Sequence, residues 1–317
     1  MTAASAQALA GVVAESASMR EIVALVLRLA DTRSPVLLEG ESGTGKDLVA
    51  HWLHYAGARR EGPFIKVHCP SIPGELLESE LFGHEKGAFT DARATKAGKI
   101  EMAAAGTLYF DQIQDLTLPL QAKLLRVIEE RRFERVGGTR TLEVDVRFVA
   151  SANVELAVAV RSGRLREDLF HRLNVMPLKL EPLRARREDI LPLALQFLAR
   201  ERERGATAAS GLTTEAAELL RGYHWPGNAR ELRSLIERLA TFVSSGEIEP
   251  RALPQQVLEQ PSVLWAGRER RPRLEDVEIA YIRFVLEATA GSQTRAAAVL
   301  GISRKALWEK RRRYGIG

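Results

Sequence analysis

Cysteine is almost missing from this chain. The single residue Cys69 leaves no internal disulfide to form, and no His/Cys cluster has zinc-ligand spacing. Both absences fit a reducing compartment, and Cys69 itself reads as a small buried apolar residue. No stretch approaches the ~20 consecutive apolar residues that a membrane-spanning helix needs. Met1 to Ala14 lack the basic start and apolar block of a signal peptide, so a cytoplasmic protein without membrane contact is expected. Internal repeats and low-complexity tracts are missing too. With 317 residues there is room for two or three compact units, each with its own core.

The charge that is present is unevenly placed. The formal balance is only +5, yet Leu300 to Gly317 carry Arg304, Lys305, Lys310, Arg311, Arg312 and Arg313 against one acid, Glu309. A concentrated basic tail suits a polyanion partner, although a solvated helix face has the same composition. From about Val12 to Leu180, β-rich runs alternate with helical patterns: Pro35 to Glu39, Phe64 to Val67, Thr107 to Asp111, Val146 to Ala150 and Val175 to Leu180. Such alternation predicts an α/β domain with a largely parallel sheet. Apolar spacing in Ile190 to Leu198, Ala216 to Leu220 and Glu231 to Phe242 then predicts a small all-α domain. Pro250 to Pro272 have prolines, charges and no clear period, as a linker does. The chain thus divides into a tail (1–10), an α/β unit (11–180), a helical unit (181–250), a linker (251–272) and a helical C-terminal unit (273–317).

Gly40, Glu41, Ser42, Gly43, Thr44, Gly45 and Lys46 follow a strand and open a helix, the context that makes G-x-x-x-x-G-K a phosphate-binding loop. Backbone N–H groups and a helix N-terminus then face the phosphates of a nucleotide such as ATP, with Lys46 near the outer ones. The usual Ser/Thr after the lysine is Asp47, so a magnesium ligand must come from elsewhere. Asp111 is the candidate: it ends an apolar strand, where a carboxylate emerges at the C-terminal edge of the sheet and can hold a hydrated Mg2+.

Ser292 to Ser303 read as a helix, a glycine-bearing turn and the cap of a second helix. Ala297 allows close packing, Gly301 sits at the turn, Ile302 and Leu307 face the core, and Ser303 caps the next helix. This is helix-turn-helix spacing. Arg304 to Arg313 would then be the recognition helix, with Arg304, Lys305, Lys310 and Arg312 available for phosphates or guanine edges and Glu309 able to accept from cytosine; a two-helix interaction hairpin is the alternative. Trp308 reads as a packing residue.

With these residues in place the chain resembles sigma-54-dependent transcription activators, the bacterial enhancer-binding proteins, from about residue 11 to the end. The resemblance rests on Gly40 to Asp47, Glu80 to Ala92, Arg166 to Asn174 and Trp225 to Leu232. It implies an AAA+ α/β domain with a helical lid, usually in a hexameric ring, that uses ATP hydrolysis to remodel sigma-54 RNA polymerase. Gly87, Ala88, Phe89, Thr90, Asp91 and Ala92 look like the sigma-contacting loop, with Phe89 and Thr90 at its tip and Asp91 where a second glycine is customary. Arg166 and Arg172 resemble the arginine fingers that reach a neighbour's nucleotide; salt bridges to Glu167 and Asp168 are the plainer role. Arg230 resembles the second sensor and Asn153 the first, while Trp225 and Pro226 read as packing residues. The C-terminal segment resembles Fis-type domains, which bind DNA as dimers, with Leu274 to Ala288 as the pairing helix.

Two departures bear on mechanism. The family's second Walker B carboxylate is Gln112 here, and an amide can position water but cannot take its proton. The family's asparagine in the strand after Phe64 is His68. Slow turnover, or water positioned with the help of His68, is expected, with ATP binding and assembly preserved; tolerance without consequence is the competing reading. In addition, only about ten residues precede the resembling region. Control by a separate inhibitor or sensor protein is therefore expected rather than phosphorylation in cis.

Overall fold

The computed structural model describes residues 11–71, 74–243, 245–258, 273–289 and 292–316. The expected tail at 1–10 and most of the expected linker lie outside the described residues. The chain divides after Ala252 into two compact units.

In the first unit α1 (Ala17–Leu29) precedes β1 (Val36–Glu39), α2 (Lys46–Tyr55) and β2 (Phe64–His68). Then follow α3 (Gly74–Phe82), the short pair β3 (Gly83–His84) and β4 (Lys96–Ala97), α4 (Lys99–Met102) and β5 (Thr107–Asp111). After α5 (Leu118–Glu130) come the hairpin β6 (Arg132–Glu134) and β7 (Thr141–Glu143), β8 (Arg147–Ala152), α6 (Leu156–Arg161), α7 (Glu167–Leu173) and β9 (Met176–Lys179). The central sheet runs β2-β5-β8-β1-β9 with every neighbouring pair parallel. Helices cover both faces, which is why β1 and β8 are apolar or buried along their length rather than alternating. Val36, Leu38, Tyr109, Val149 and Leu178 face α1 and α2. Leu37, Val67, Leu108, Phe110 and Phe148 face the opposite side, against Leu77, Leu124, Leu169 and their neighbours. The expected parallel α/β domain is present, with strand ends within two residues of those read from sequence.

One buried cation ties the first helical layer to the sheet. Arg147 at the start of β8 is 1% exposed and donates to Leu29 O (2.6 Å), Ala30 O (2.6 Å) and Leu53 O (2.7 Å). These carbonyls close the C-terminal ends of α1 and α2, where a cation is favoured by the helix dipole. Burial lowers the Arg147 pKa to about 10, which still leaves it charged at neutral pH.

Beyond β9, α8 (Ile190–Glu203), α9 (Thr214–Gly222) and α10 (Asn228–Phe242) pack around Leu198, Leu220, Leu232, Ile236 and the fully buried Trp225, whose Nε1 donates to Leu220 O at 2.9 Å. The sequence reading of an all-α unit needs correction here. A parallel pair, β10 (Ala208–Leu212) with β11 (Ser245–Ile248), closes the far end. Its residues, Ala-Ala-Ser-Gly-Leu and Ser-Gly-Glu-Ile, lack the β-branched and aromatic enrichment that marks strands.

The second unit contains a short helix α11 (Gln255–Leu258) inside the segment read as a linker. It continues with α12 (Leu274–Ala288), α13 (Gln293–Leu300) and α14 (Arg304–Tyr314), whose core is Ile282, Val285, Leu286, Ala296, Ala297 and Leu307. As expected, Ser303 caps α14, its Oγ accepting from Ala306 N at 3.1 Å.

Replacing Arg147 with Met would strip the buried carbonyls of Ala30 and Leu53 of this donor, while Leu29 O keeps its bonds from Thr32. Urea unfolding should show a loss of at least about 2 kcal/mol, since each unsatisfied buried group alone costs roughly 1–3 kcal/mol.

Candidate functional site

The loop between β1 and α2 is held open by backbone geometry. Gly40, Gly43 and Gly45 all have positive φ. At Gly43 a Cβ would lie 2.3 Å from the Gly227 carbonyl, so no other residue lets the helical unit approach so closely. Among the described residues, no acceptor faces the N–H groups of Gly43, Gly45, Lys46 and Asp47, and no side chain caps α2. Lys46 is 7% exposed and turns back on the loop, donating to Gly40 O (2.6 Å) and Glu41 O (2.8 Å). Burial presses its pKa down to about 8, against the pull of Asp111 and Asp47. Thr44 Oγ1 closes the turn onto Glu41 O at 2.9 Å.

Asp111 emerges from β5 where the sequence placed it, but it is not alone. Oδ1 accepts from Ser151 Oγ on β8 (2.9 Å), and Oδ2 lies 2.9 Å from His68 Nδ1 and 3.0 Å from Lys66 Nζ. Burial opposes ionisation of this carboxyl, but its bonds to Lys66, Ser151 and His68 prevail and hold its pKa below the ordinary value. Asp47 accepts from Lys66 Nζ (2.6 Å) and from the Tyr109 hydroxyl (2.8 Å). Burial likewise opposes the Lys66 charge, yet the bonds to Asp47 and Asp111 outweigh it and raise the pKa.

Gln112 occupies the left-handed region (φ 63), which is costly for a residue with a side chain and tends to be kept where function requires it. Its Oε1 accepts from Asn153 Nδ2 at 3.0 Å, and Asn153 Oδ1 accepts from Gln114 Nε2 at 2.9 Å. The two positions where the sequence departs from its resemblance therefore do not bond each other: His68 turns to Asp111, and Gln112 to Asn153.

The helical unit grips the phosphate loop from above. Arg230 Nη1 donates to Ser42 Oγ (2.7 Å), Ala229 N to Gly43 O (3.1 Å) and buried Arg186 to Thr44 O (2.6 Å). Arg184 forks onto the Glu41 carboxylate and, with Asn228, lowers its pKa. Elsewhere, Arg166 pairs with Asp168 at 2.7 Å, the plainer of its two roles, while Arg172 is exposed on α7. The loop at 87–92 is tight: Gly87 N donates to Ala92 O (2.8 Å) and Ala92 N to Phe89 O (2.9 Å). Phe89 stays 40% exposed with its ring edge against His84, and Thr90 and Asp91 are exposed beside it. Ala92 is buried and closes the loop, and Ala88 packs toward Gly137 of the β6–β7 hairpin.

In the second unit Arg304, Lys305, Glu309 and Arg312 lie exposed along α14. Lys310 instead pairs with Glu278 of α12 at 2.5 Å, which neutralises part of its charge. Trp308 does not pack inside: it is 52% exposed, with the Arg312 guanidinium 5.6 Å over its ring. Buried Leu307 already fills the space between helices, leaving its neighbour outward.

Family models match nearly the whole chain: a Sigma-54 interaction domain over residues 12–179, an AAA+ ATPase lid domain over 184–265 and a Bacterial regulatory protein of the Fis family over 273–314. The Regulatory protein AtoC of Escherichia coli (strain K12) is 45% identical over 314 residues, covering 96% of this chain and 68% of that protein. This chain belongs to the sigma-54-dependent transcription activators. The Transcriptional regulatory protein ZraR of Klebsiella oxytoca is 44% identical, covering 95% of this chain and 68% of its own length. Among solved structures, NtrX from Brucella abortus in complex with ATP matches with a TM-score of 0.70 and 34% identity over 96% of this chain and 69% of that one.

Within this sigma-54 activator, sequence reasoning missed Lys66, Ser151, Tyr109, Arg184, Arg186 and Asn228, all of which touch the phosphate loop or its two aspartates. A signal existed for Lys66: it alternates with Phe64 and His68, so it shares their face of β2. Among the described residues, no helix is long and apolar enough to cross a membrane.

The folded state binds the Lys46 proton less tightly than the unfolded chain does, so this charge costs stability below about pH 8, and the cost fades toward the ordinary lysine value of 10.5. Wild-type stability relative to Lys46→Met should therefore rise by on the order of 2 kcal/mol as the pH rises through that window. Urea unfolding of both proteins at each end of the window measures it.

Proposed function

We propose that this sigma-54-dependent activator binds ATP at the 40–47 loop, binds promoter-upstream DNA through α14, and remodels sigma-54 RNA polymerase through Phe89 and its loop. The observation that carries the reading is the set of unpartnered N–H groups at the start of α2, beside the Lys46 ammonium and opposite Asp47 and Asp111. Such a nest is built for an anion. The solved structure of NtrX in complex with ATP supports ATP as that anion.

Mg2+ fits the donor set. Asp47 and Asp111 both reach one cation, the Lys66 ammonium, so two hard carboxylate oxygens converge on a single centre. Among the described residues no larger His/Cys/Asp/Glu cage exists, and a magnesium site normally takes one or two carboxylates with water and phosphate completing it. Bound there, the ion would neutralise charge on the β- and γ-phosphates. Lys46 and the backbone N–H groups hold the phosphates, Arg230 reads the outer one after leaving Ser42, and Asn153 orients Gln112 toward the attacking water. Arg166 and Arg172 are assigned to a neighbour's site in a hexameric ring. Arg166 must then release Asp168, an exposed pair that holds it only weakly.

On α14, Arg304, Lys305 and Arg312 contact phosphate or base edges with Glu309, Ser303 anchors the start of the helix, and Lys310 acts as a brace to Glu278. Leu274, Tyr281 and Phe284, all exposed on α12 at heptad spacing, supply the dimer seam. A separate inhibitor or sensor protein and a cytoplasmic location complete the assignment.

A second reading is favoured by Gln112 itself. With an amide where a carboxylate would take the water's proton, ATP serves to hold an assembly and is cleaved slowly. Gln112→Glu should raise steady-state ATP turnover about 10²-fold over wild type, with Lys46→Ala as the blank. Wild-type turnover already at the level of the Glu variant would exclude the slow-cleavage reading. In a sigma-54-dependent promoter assay, Phe89→Ala should abolish activation while ATP affinity stays within about threefold. Activation that survives the change removes the loop from the mechanism.

A further inference from the structure

Lys66 belongs to no motif, yet it touches both carboxylates of the nucleotide site. It lies in the middle of β2 and alternates with Phe64 and His68 onto the α2 face of the sheet. Its ammonium sits 5.5 Å from the centroid of the Tyr109 ring, 2.6 Å from Asp47 Oδ2 and 3.0 Å from Asp111 Oδ2. The Tyr109 hydroxyl fixes the other Asp47 oxygen at 2.8 Å, and Ser151 fixes the other Asp111 oxygen at 2.9 Å. One tethered cation therefore bridges the first turn of α2 and the end of β5.

We propose that Lys66 is a built-in counter-ion: it holds the position between Asp47 and Asp111 in the absence of a divalent cation, and so lets the pocket accept a nucleotide triphosphate without one. The inference rests on the reading of the 40–47 loop as an ATP site. Its physical basis is charge. Two carboxylates beside the phosphate nest repel a polyanion, and an ammonium bonded to both offsets about half of that charge without any metal. A divalent cation entering the same place must displace the ammonium from both carboxylates, so Lys66 also raises the Mg2+ concentration needed to fill the site. Lys66 acts through the aspartates, as a positioning residue.

ATP binding to the full chain, measured by calorimetry in excess Mg2+ and again in EDTA, separates this role from a merely structural one. Lys66→Met should weaken ATP binding in EDTA by about tenfold or more and change it by less than about threefold in Mg2+. The Mg2+ concentration for half-maximal ATP binding should fall in the same variant, and Lys66→Arg, which keeps the charge, should keep most of the affinity in EDTA. Equal losses in both conditions, or no loss in EDTA, overturn the counter-ion role. Wild-type protein that binds no ATP even with Mg2+ overturns the phosphate-site reading, and the inference with it.

Discussion

A lysine ammonium buried without a directly bonded carboxylate is the constraint around which this molecule is arranged. Among the described residues, Lys46 donates only to the carbonyls of Gly40 and Glu41, and its burial lowers its pKa. A charge in that condition is stabilised by an incoming anion far more than an exposed one is, because less water remains to screen it. The surrounding features serve the same end. Positive-φ glycines open the loop, the helical unit braces it through Arg186, Ala229 and Arg230, and Asp47 and Asp111 share the Lys66 ammonium, which offsets part of their charge. The site is a positive nest with an acidic wall that Lys66 partly balances.

Catalytic capacity and binding capacity are separable in this arrangement. In the proposed function, binding rests on backbone N–H groups, Lys46 and a pair of aspartates. Cleavage would need in addition a group that takes a proton from water, and the residue assigned to that task is an amide linked to two others through Asn153. Gln112 sits in the left-handed region (φ 63) with its side-chain oxygen bonded to Asn153.

The parts of the fold and site that depend on local chemistry were legible in the sequence. Glycine spacing marked the loop, apolar runs marked β1, β5 and β8, and Ser303 with Gly301 marked the helix-turn-helix. Features produced by long-range packing were not. Ser151 reaches Asp111 across 40 positions of sequence, and the β10–β11 pair joins segments with no strand-like composition. Trp308 looked like core because it is large and apolar, but Leu307 had already taken the interior place. Ala92 looked like part of a presented loop because sequence order cannot show that its backbone closes the loop and buries it. The pairing of Lys310 with Glu278 likewise depends on how α12 crosses α14, which charge counting does not reveal.

A single-turnover experiment tests the central claim most directly. Radiolabelled ATP is bound to excess protein in the presence of Mg2+, and the fate of the bound nucleotide is followed. The account predicts tight binding and cleavage of the bound ATP far slower than in the Gln112→Glu variant, because no carboxylate stands at position 112. Bound ATP cleaved as fast as it is by the Gln112→Glu variant would contradict it.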